Sequence, residues 1–182
     1  TGRENDQPQL ANPIIEDAAW MRSTLLPGLL DSVRHNFNHG LRDVKLFEIG
    51  RIFSISKAGE LPDETLALAV VATGGAIEED RAQAEREIDF FDLKGALESA
   101  VDWMNLSPLK FLAAAVRHLR PGQSATIRSG DGTAIGTMGR LAENLATSYK
   151  FRQPLFLLEL DLQKLLSGPA KSIQYAPLPR YP

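Results

Sequence analysis

The 182-residue chain has no cysteine, three histidines and an aromatic content of 7%. Without thiols it can form no disulfide, thiolate metal site or iron–sulfur cluster and has no Cys nucleophile, and it is compatible with a reducing compartment. Long apolar runs are also missing. The longest, from Leu66 to Ala72, is far short of the roughly 20 residues that cross a bilayer as a helix, and the first ten residues, TGRENDQPQL, hold no apolar signal core. Positive charge is not in excess either: 20 Lys+Arg stand against 23 Asp+Glu, a net charge of −3. That balance, with no basic stripe studded with aromatics in the linear sequence, argues against general nucleic-acid affinity, so the chain on its own is expected to bind RNA weakly and salt-sensitively. A hydrophobic fraction of 43% and a charged fraction of 24% are those of a globular domain. We read residues 1–182 as one domain, with 1–11 as a lead-in segment and 168–182, which hold four prolines, as a tail that looks cut from a longer chain.

Helical spacing begins after Ser23 and Thr24, either of which can cap; Pro27 suits a first turn, and Leu26, Leu29, Leu30, Val33 and Phe37 build one apolar face ended by Gly40. Residues 43–55 alternate as a long strand, or as two meeting at Gly50. Residues 66–73 are apolar on both faces, the mark of a strand inside a sheet. Gly74-Gly75 ends it, and the charge run from Glu78 to Glu87 reads as a solvated helix turn or loop. Phe90, Leu93, Leu97, Val101 and Met104 define a second helix begun by Asp89 or Asp92. Beyond Pro108 come a strand over 111–116, a turn at Arg120-Pro121-Gly122-Gln123, a hairpin centred on Gly130-Asp131-Gly132, a short helix over 141–149, a strand over 154–161 and a helical turn over 162–166. Strands joined by turns, with helices not interleaved as βαβ units, predict an α+β fold with a mainly antiparallel sheet.

Chemistry is sparse. His35 and His39 stand at i, i+4, close enough to share an ion, but neither a Glu of the zinc-peptidase pattern nor a third ligand accompanies them. His118, between Arg117 and Arg120, reads as a surface or interface residue. Gly74-Gly75 leads into acidic residues that repel phosphate, and Gly136-Thr-Met-Gly139 lies inside a strand pattern. The Arg120-Pro121-Gly122-Gln123 turn offers N–H groups and a guanidinium to an anion, although a type II turn explains the same residues without one. No catalytic, cofactor-binding or metal-binding constellation emerges.

Six strings in order do carry a resemblance: Asn12-Pro13, Met21-Arg-Ser-Thr-Leu-Leu-Pro-Gly-Leu-Leu30, Leu46-Phe-Glu-Ile-Gly-Arg-Ile-Phe53, Asp89-Phe-Phe-Asp-Leu-Lys-Gly95, Arg120-Pro-Gly-Gln-Ser-Ala125 and Ile135-Gly-Thr-Met-Gly139. Across nearly the whole chain they resemble the catalytic-like region of the bacterial phenylalanyl-tRNA synthetase β subunit. The resemblance implies a class II aminoacyl-tRNA synthetase-like antiparallel sheet flanked by helices, without catalytic function. It implies a cytoplasmic (αβ)₂ assembly in which the α subunit charges phenylalanine tRNA with ATP and Mg, the tRNA being held mainly by other parts of the enzyme. Class II catalytic cores place an Arg two residues before a Glu; here Leu46 precedes Glu48, and the glycine-rich third motif ending in Arg is missing. The family often has His-Pro-Gly-Arg where this chain has Arg120-Pro-Gly-Gln123, and Gly-Glu-Leu-His-Pro where this one has Gly139-Arg-Leu-Ala-Glu143. On this resemblance Leu26, Leu29, Leu30, Val33 and Phe37 are expected to form a subunit interface, part of it exposed in the separate chain. The alternative is a stand-alone class II-like paralogue that binds a protein or small molecule.

Overall fold

In the computed structural model, which describes residues 20–55, 61–77 and 86–171, the first apolar periodicity becomes helix α1 (Leu26–Asn38) with Pro27 in its first turn. Its end is a Schellman closure: Gly40 at φ 84° lets its own N–H reach the Phe37 carbonyl and the Leu41 N–H reach that of Asn36. Strand β1 (Val44–Ser54) runs through Gly50 without a break and pairs with β2 (Asp63–Thr73) along eleven residues of each. A two-stranded ribbon follows, β3 (Gly75–Ile77) with β4 (Arg86–Glu87). The charge run suggested no strand there, and most of that run, 78–85, lies outside the described residues. Helix α2 (Phe90–Trp103) starts on a reciprocal capping box: Asp89 accepts from the N–H groups of Phe91 and Asp92 while the Asp92 carboxylate accepts from that of Asp89. Then come β5 (Lys110–Ala113), β6 (Leu119–Arg128), β7 (Ala134–Leu141), α3 (Glu143–Ser148), β8 (Phe156–Asp161) and α4 (Leu162–Leu166).

Six strands form one sheet in the order β1-β2-β8-β7-β6-β5, with every neighbouring pair antiparallel. The doubly apolar β2 and β8 sit inside it and divide the core in two. Ala67, Ala69, Val71, Leu155 and Leu157 join α1 on one face; Leu68, Val70, Ala72, Phe156, Leu158 and Leu160 join α2 and Leu165 of α4 on the other.

Two expectations change. Arg120-Pro121-Gly122-Gln123 does not end a strand. It is an extended bulge inside β6, where Leu119 faces Leu141 and Ser124 faces Gly139, so five steps on β6 oppose two on β7. The segment read as a cut tail is tied to the fold at its start, where Ala170 bridges Leu106 and the Ser107 N–H donates to the Pro169 carbonyl; the rest of it from 172 onward, like the lead-in, is outside the described residues. The second change concerns α1. Leu26, Leu29, Leu30, Val33 and Phe37 are between 0% and 8% exposed and pack into this chain's own core. The expected exposed part of that face is absent because all five side chains are buried in one cluster with Ala67, Ala69 and Val71, whose small side chains leave room beneath α1.

Candidate functional site

The apolar face under α1 stops at the helix N-terminus, where the sheet turns polar. Directly paired residues of antiparallel strands share a face, and the register places Glu48, Ala69, Glu159, Thr137, Thr126 and Leu112 in one row across β1, β2, β8, β7, β6 and β5. Glu159 stands at its centre, on an interior strand. Its carboxylate accepts the Leu25 N–H at 2.7 Å and the Thr24 hydroxyl at 2.8 Å from either oxygen, while Thr24 Oγ1 accepts the Leu26 N–H at 3.2 Å. The expected cap at Thr24 therefore works one residue before the N-cap position, which is Leu25, and Glu159 completes it from the sheet. A carboxylate at this end of α1 also complements the helix dipole.

Burial pushes the Glu159 carboxyl above its ordinary value near 4.5, and its bonds from Leu25 and Thr24 pull it part of the way back. The folded chain thus holds this proton more tightly than the unfolded one. The stability associated with it is present below the unfolded value and is lost as pH rises through the raised folded value. Glu159→Gln keeps an acceptor for Leu25 and Thr24 without the buried charge. Its melting temperature relative to the parent chain is expected to increase from pH 4 to pH 7, whereas Glu159→Ala, which leaves the Leu25 N–H unpaired, is expected to cost about 1–2 kcal/mol at pH 4 and less at pH 7, where the parent carries the charge. Circular-dichroism melts would count against this role if the Gln variant's advantage stayed flat or shrank with pH.

Beside this row, Arg22 is already matched. Arg22 Nη1 donates to Glu48 Oε1 at 2.6 Å and Arg22 Nε to the Arg51 carbonyl at 2.9 Å; its guanidinium lies where a Cβ on Gly50 would sit, so a side chain there would have to displace it. Arg51 pairs with Glu64 across β1 and β2 on the opposite face of the sheet, beside Ile49 and Leu66. Leu46, two residues before Glu48, packs into the core under α1. The strip can accept hydrogen bonds and hold a proton at Glu159, and the arginine beside it is already engaged by Glu48, whereas adenylate formation relies on free cationic charge to stabilise its transition state.

The other candidates resolve locally. Arg120 donates to Glu143 Oε1 at 2.9 Å and Arg140 donates to the same oxygen at 3.0 Å, so the anion at the Arg120-Pro121-Gly122-Gln123 bulge is the chain's own carboxylate. The Gly75 N–H donates to Asp43 Oδ1 at 2.7 Å, which makes Gly74-Gly75 a closed turn. His35 and His39 have ring centroids 4.3 Å apart, and His39 Nδ1 donates to the His35 carbonyl at 2.8 Å. Among the described residues no three His, Asp or Glu side chains gather as a metal site. Burial holds His118 below its usual range. Glu159 escaped the sequence reading because an acid in an otherwise apolar strand (Leu155-Phe-Leu-Leu-Glu-Leu160) looks like an outward residue until its neighbours show the face to be covered. The break in that run was the available signal.

Comparison with known proteins adds the following. The family described as phenylalanyl tRNA synthetase beta chain CLM domain matches residues 1–162. The chain is 33% identical over 174 residues to a phenylalanine–tRNA ligase beta subunit of Geobacter sulfurreducens, covering 95% of this chain and 22% of that protein. Against the beta subunit of Methylococcus capsulatus it is 36% identical over 179 residues, again covering 22% of the relative. It thus spans about a fifth of the length of these curated relatives. Among solved structures, pyrrolysyl-tRNA synthetase from Desulfitobacterium hafniense superimposes with a TM-score of 0.65 at 16% identity, covering 89% of this chain and 52% of that one. The fold is therefore that of the class II synthetases, reached at an identity that speaks for architecture alone.

Proposed function

The chain belongs to the phenylalanyl-tRNA synthetase β-chain family, and from that premise we propose that it is a non-catalytic synthetase-like core that supports assembly with a catalytic α subunit for ATP-dependent charging of phenylalanine tRNA. One observation carries the non-catalytic half: the polar strip on the sheet centres on the half-buried carboxylate of Glu159, and Arg22 beside it is already paired with Glu48. A carboxylate strip whose neighbouring arginine is already paired offers a nucleotide triphosphate little of the cationic stabilisation that adenylate formation needs. ATP and Mg would then be used by the α subunit, in a cytoplasmic (αβ)₂ enzyme.

For assembly, the surface that suits a partner is the outer face of the sheet edge rather than α1. Phe47 and Ile49 on the edge strand are 71% and 54% exposed, and their cross-strand neighbours are Val70 and Leu68, with Leu66 beside them. Eleven residues of edge strand with an uncovered apolar face are unusual on a surface without a partner. The test uses the complete β chain co-expressed with the α subunit. Phe47→Asp/Ile49→Asp is expected to keep the melting temperature of the β chain and to lose co-purifying α subunit, and the 182-residue chain alone is expected to give no phenylalanine-dependent ATP–pyrophosphate exchange. Exchange by the chain alone would overturn the non-catalytic reading, and full association of the double variant would remove this face from the assembly.

A further inference from the structure

The far end of α1 gathers positive charge that is scattered in the sequence. A cleft of about 730 Å³ opens between the last turns of α1, the α1–β1 connection and the α3–β8 connection, and four of the ten residues lining it are cationic (Arg34, Arg42, Lys150 and Arg152) while none is acidic. In a chain of net charge −3, this is a local concentration of charge against the overall sign. Two of the guanidiniums lie over aromatic rings: Arg42 is 4.9 Å from the centroid of Phe37 and Arg34 is 5.5 Å from that of Tyr149. Arg34 also meets Asp31 at 2.8 Å, both side chains more than half exposed. Arg42, Lys150 and Arg152 have no carboxylate partner among the described residues, in contrast to Arg22, Arg51, Arg86, Arg120 and Arg140 elsewhere.

The backbone supplies a second sign. Lys150 follows the C-cap of α3 at φ 62°, the left-handed position where glycine is ordinary and a Cβ is unfavourable. A lysine that is exposed, without an ion pair and strained is not there for the stability of this chain; it does project an ammonium group beside the cleft. Strain of this kind gathers where a side chain is needed for binding.

We propose that this cleft binds the phosphate backbone of structured RNA, with Arg42, Lys150 and Arg152 each facing a phosphate and Arg34 flanking them. The aromatics argue for backbone rather than base recognition. The Tyr149 ring is stacked on Phe151 at 5.4 Å with an interplanar angle of 12° and lies under Arg34, and Phe37 packs edge-on to Phe151 at 5.5 Å beneath Arg42, so their faces are already engaged and serve to hold the guanidiniums. The expectation of weak RNA binding rested on charge counted along the sequence. The fold brings residue 34 to residue 149, and counting along the chain cannot do that. The choice of RNA among polyanions rests on the proposed function; the site itself does not.

The test is equilibrium binding of a phenylalanine tRNA transcript, followed by fluorescence anisotropy over a salt series, to the complete β chain assembled with its α subunit. Arg42→Gln/Lys150→Gly/Arg152→Gln is expected to weaken binding by about 10- to 100-fold at low salt and to flatten the log–log salt dependence by about 2–3. Lys150→Gly alone is expected to flatten it by about 1 while the melting temperature holds or rises, because glycine relieves the left-handed strain. That combination separates a binding role from a structural one. Unchanged affinity and slope in the triple variant would overturn the proposal. So would inorganic phosphate protecting the parent protein, but not the variant, from thermal unfolding with the RNA slope intact, which would make the cleft a small-anion site. Loss of the α subunit from the variant with the RNA slope intact would make it a protein contact instead. Anisotropy needs no charging, so an inactive enzyme that still binds RNA through this cleft would overturn the proposed function and leave this inference standing.

Discussion

Leu30→Asp is expected to unfold the chain. Leu30 is 5% exposed in the middle of α1, among Leu26, Leu29, Val33 and the alanines of β2. A carboxylate there finds no hydrogen-bond donor from a sheet face built of Ala67, Ala69 and Val71 and must be buried unpaired or take the helix out of the core; both outcomes cost several kcal/mol. Against a total stability of about 5–15 kcal/mol for a domain, that removes most of the melting transition. Phe37→Asp is expected to be milder, since the Arg42 guanidinium lies 4.9 Å from the Phe37 ring and can meet the new charge at the rim. Urea unfolding of both variants checks the order. A Leu30→Asp chain that kept its midpoint but no longer associated with an α subunit would return α1 to the interface role that its apolar width suggested, and would contradict the burial described above.

How far the fold could be read from the residues depended on whether the deciding information was local. Periods of 3.6 and 2 placed α1, α2, β1, β2 and β8 to within a few residues, because each element's apolar spacing must match the face it buries. The Gly130-Asp131-Gly132 hairpin was local as well: Asp131 accepts from the Ser129 hydroxyl and from the Thr133 N–H, and Gly132 takes φ 92°. What escaped was anything requiring two distant segments. The width of the α1 face matched both an interface and a core helix, and only the small side chains of β2, packed below it, decide between them. Glu159 could not be matched to Thr24 across 135 residues, nor Arg34 to Tyr149. The bulge at Arg120-Pro121-Gly122-Gln123 has the composition of a turn, and pairing with β7 on both sides is what makes it part of a strand.

Glycine gives a sharper test of that distinction, since the same substitution is expected to have opposite signs at two places the sequence treats alike. Gly136 lies in β7 between Ile127 of β6 and Leu160 of β8, and a Cβ added to it would fall 2.7 Å from Leu160 Cα and against the Glu159 carbonyl as well. Those are backbone atoms of an interior strand and cannot swing aside. Gly136→Ala must therefore push β7 from β8 and disturb Glu159, whose carboxylate anchors α1, with an expected cost of about 2–3 kcal/mol and a melting temperature lower by roughly 5–10 °C for a chain of this size. Gly28, in the first turn of α1, has an ordinary φ and open space, with nothing within 4 Å of the point a Cβ would occupy; Gly28→Ala only removes freedom from the unfolded chain and is expected to raise stability by about 0.5–1 kcal/mol. Differential scanning calorimetry of the two variants should move the transition in opposite directions. If Gly136→Ala melted with the parent chain, the close approach of β7 to β8 would be wrong, and with it the row of residues that puts Glu159 beside Thr137.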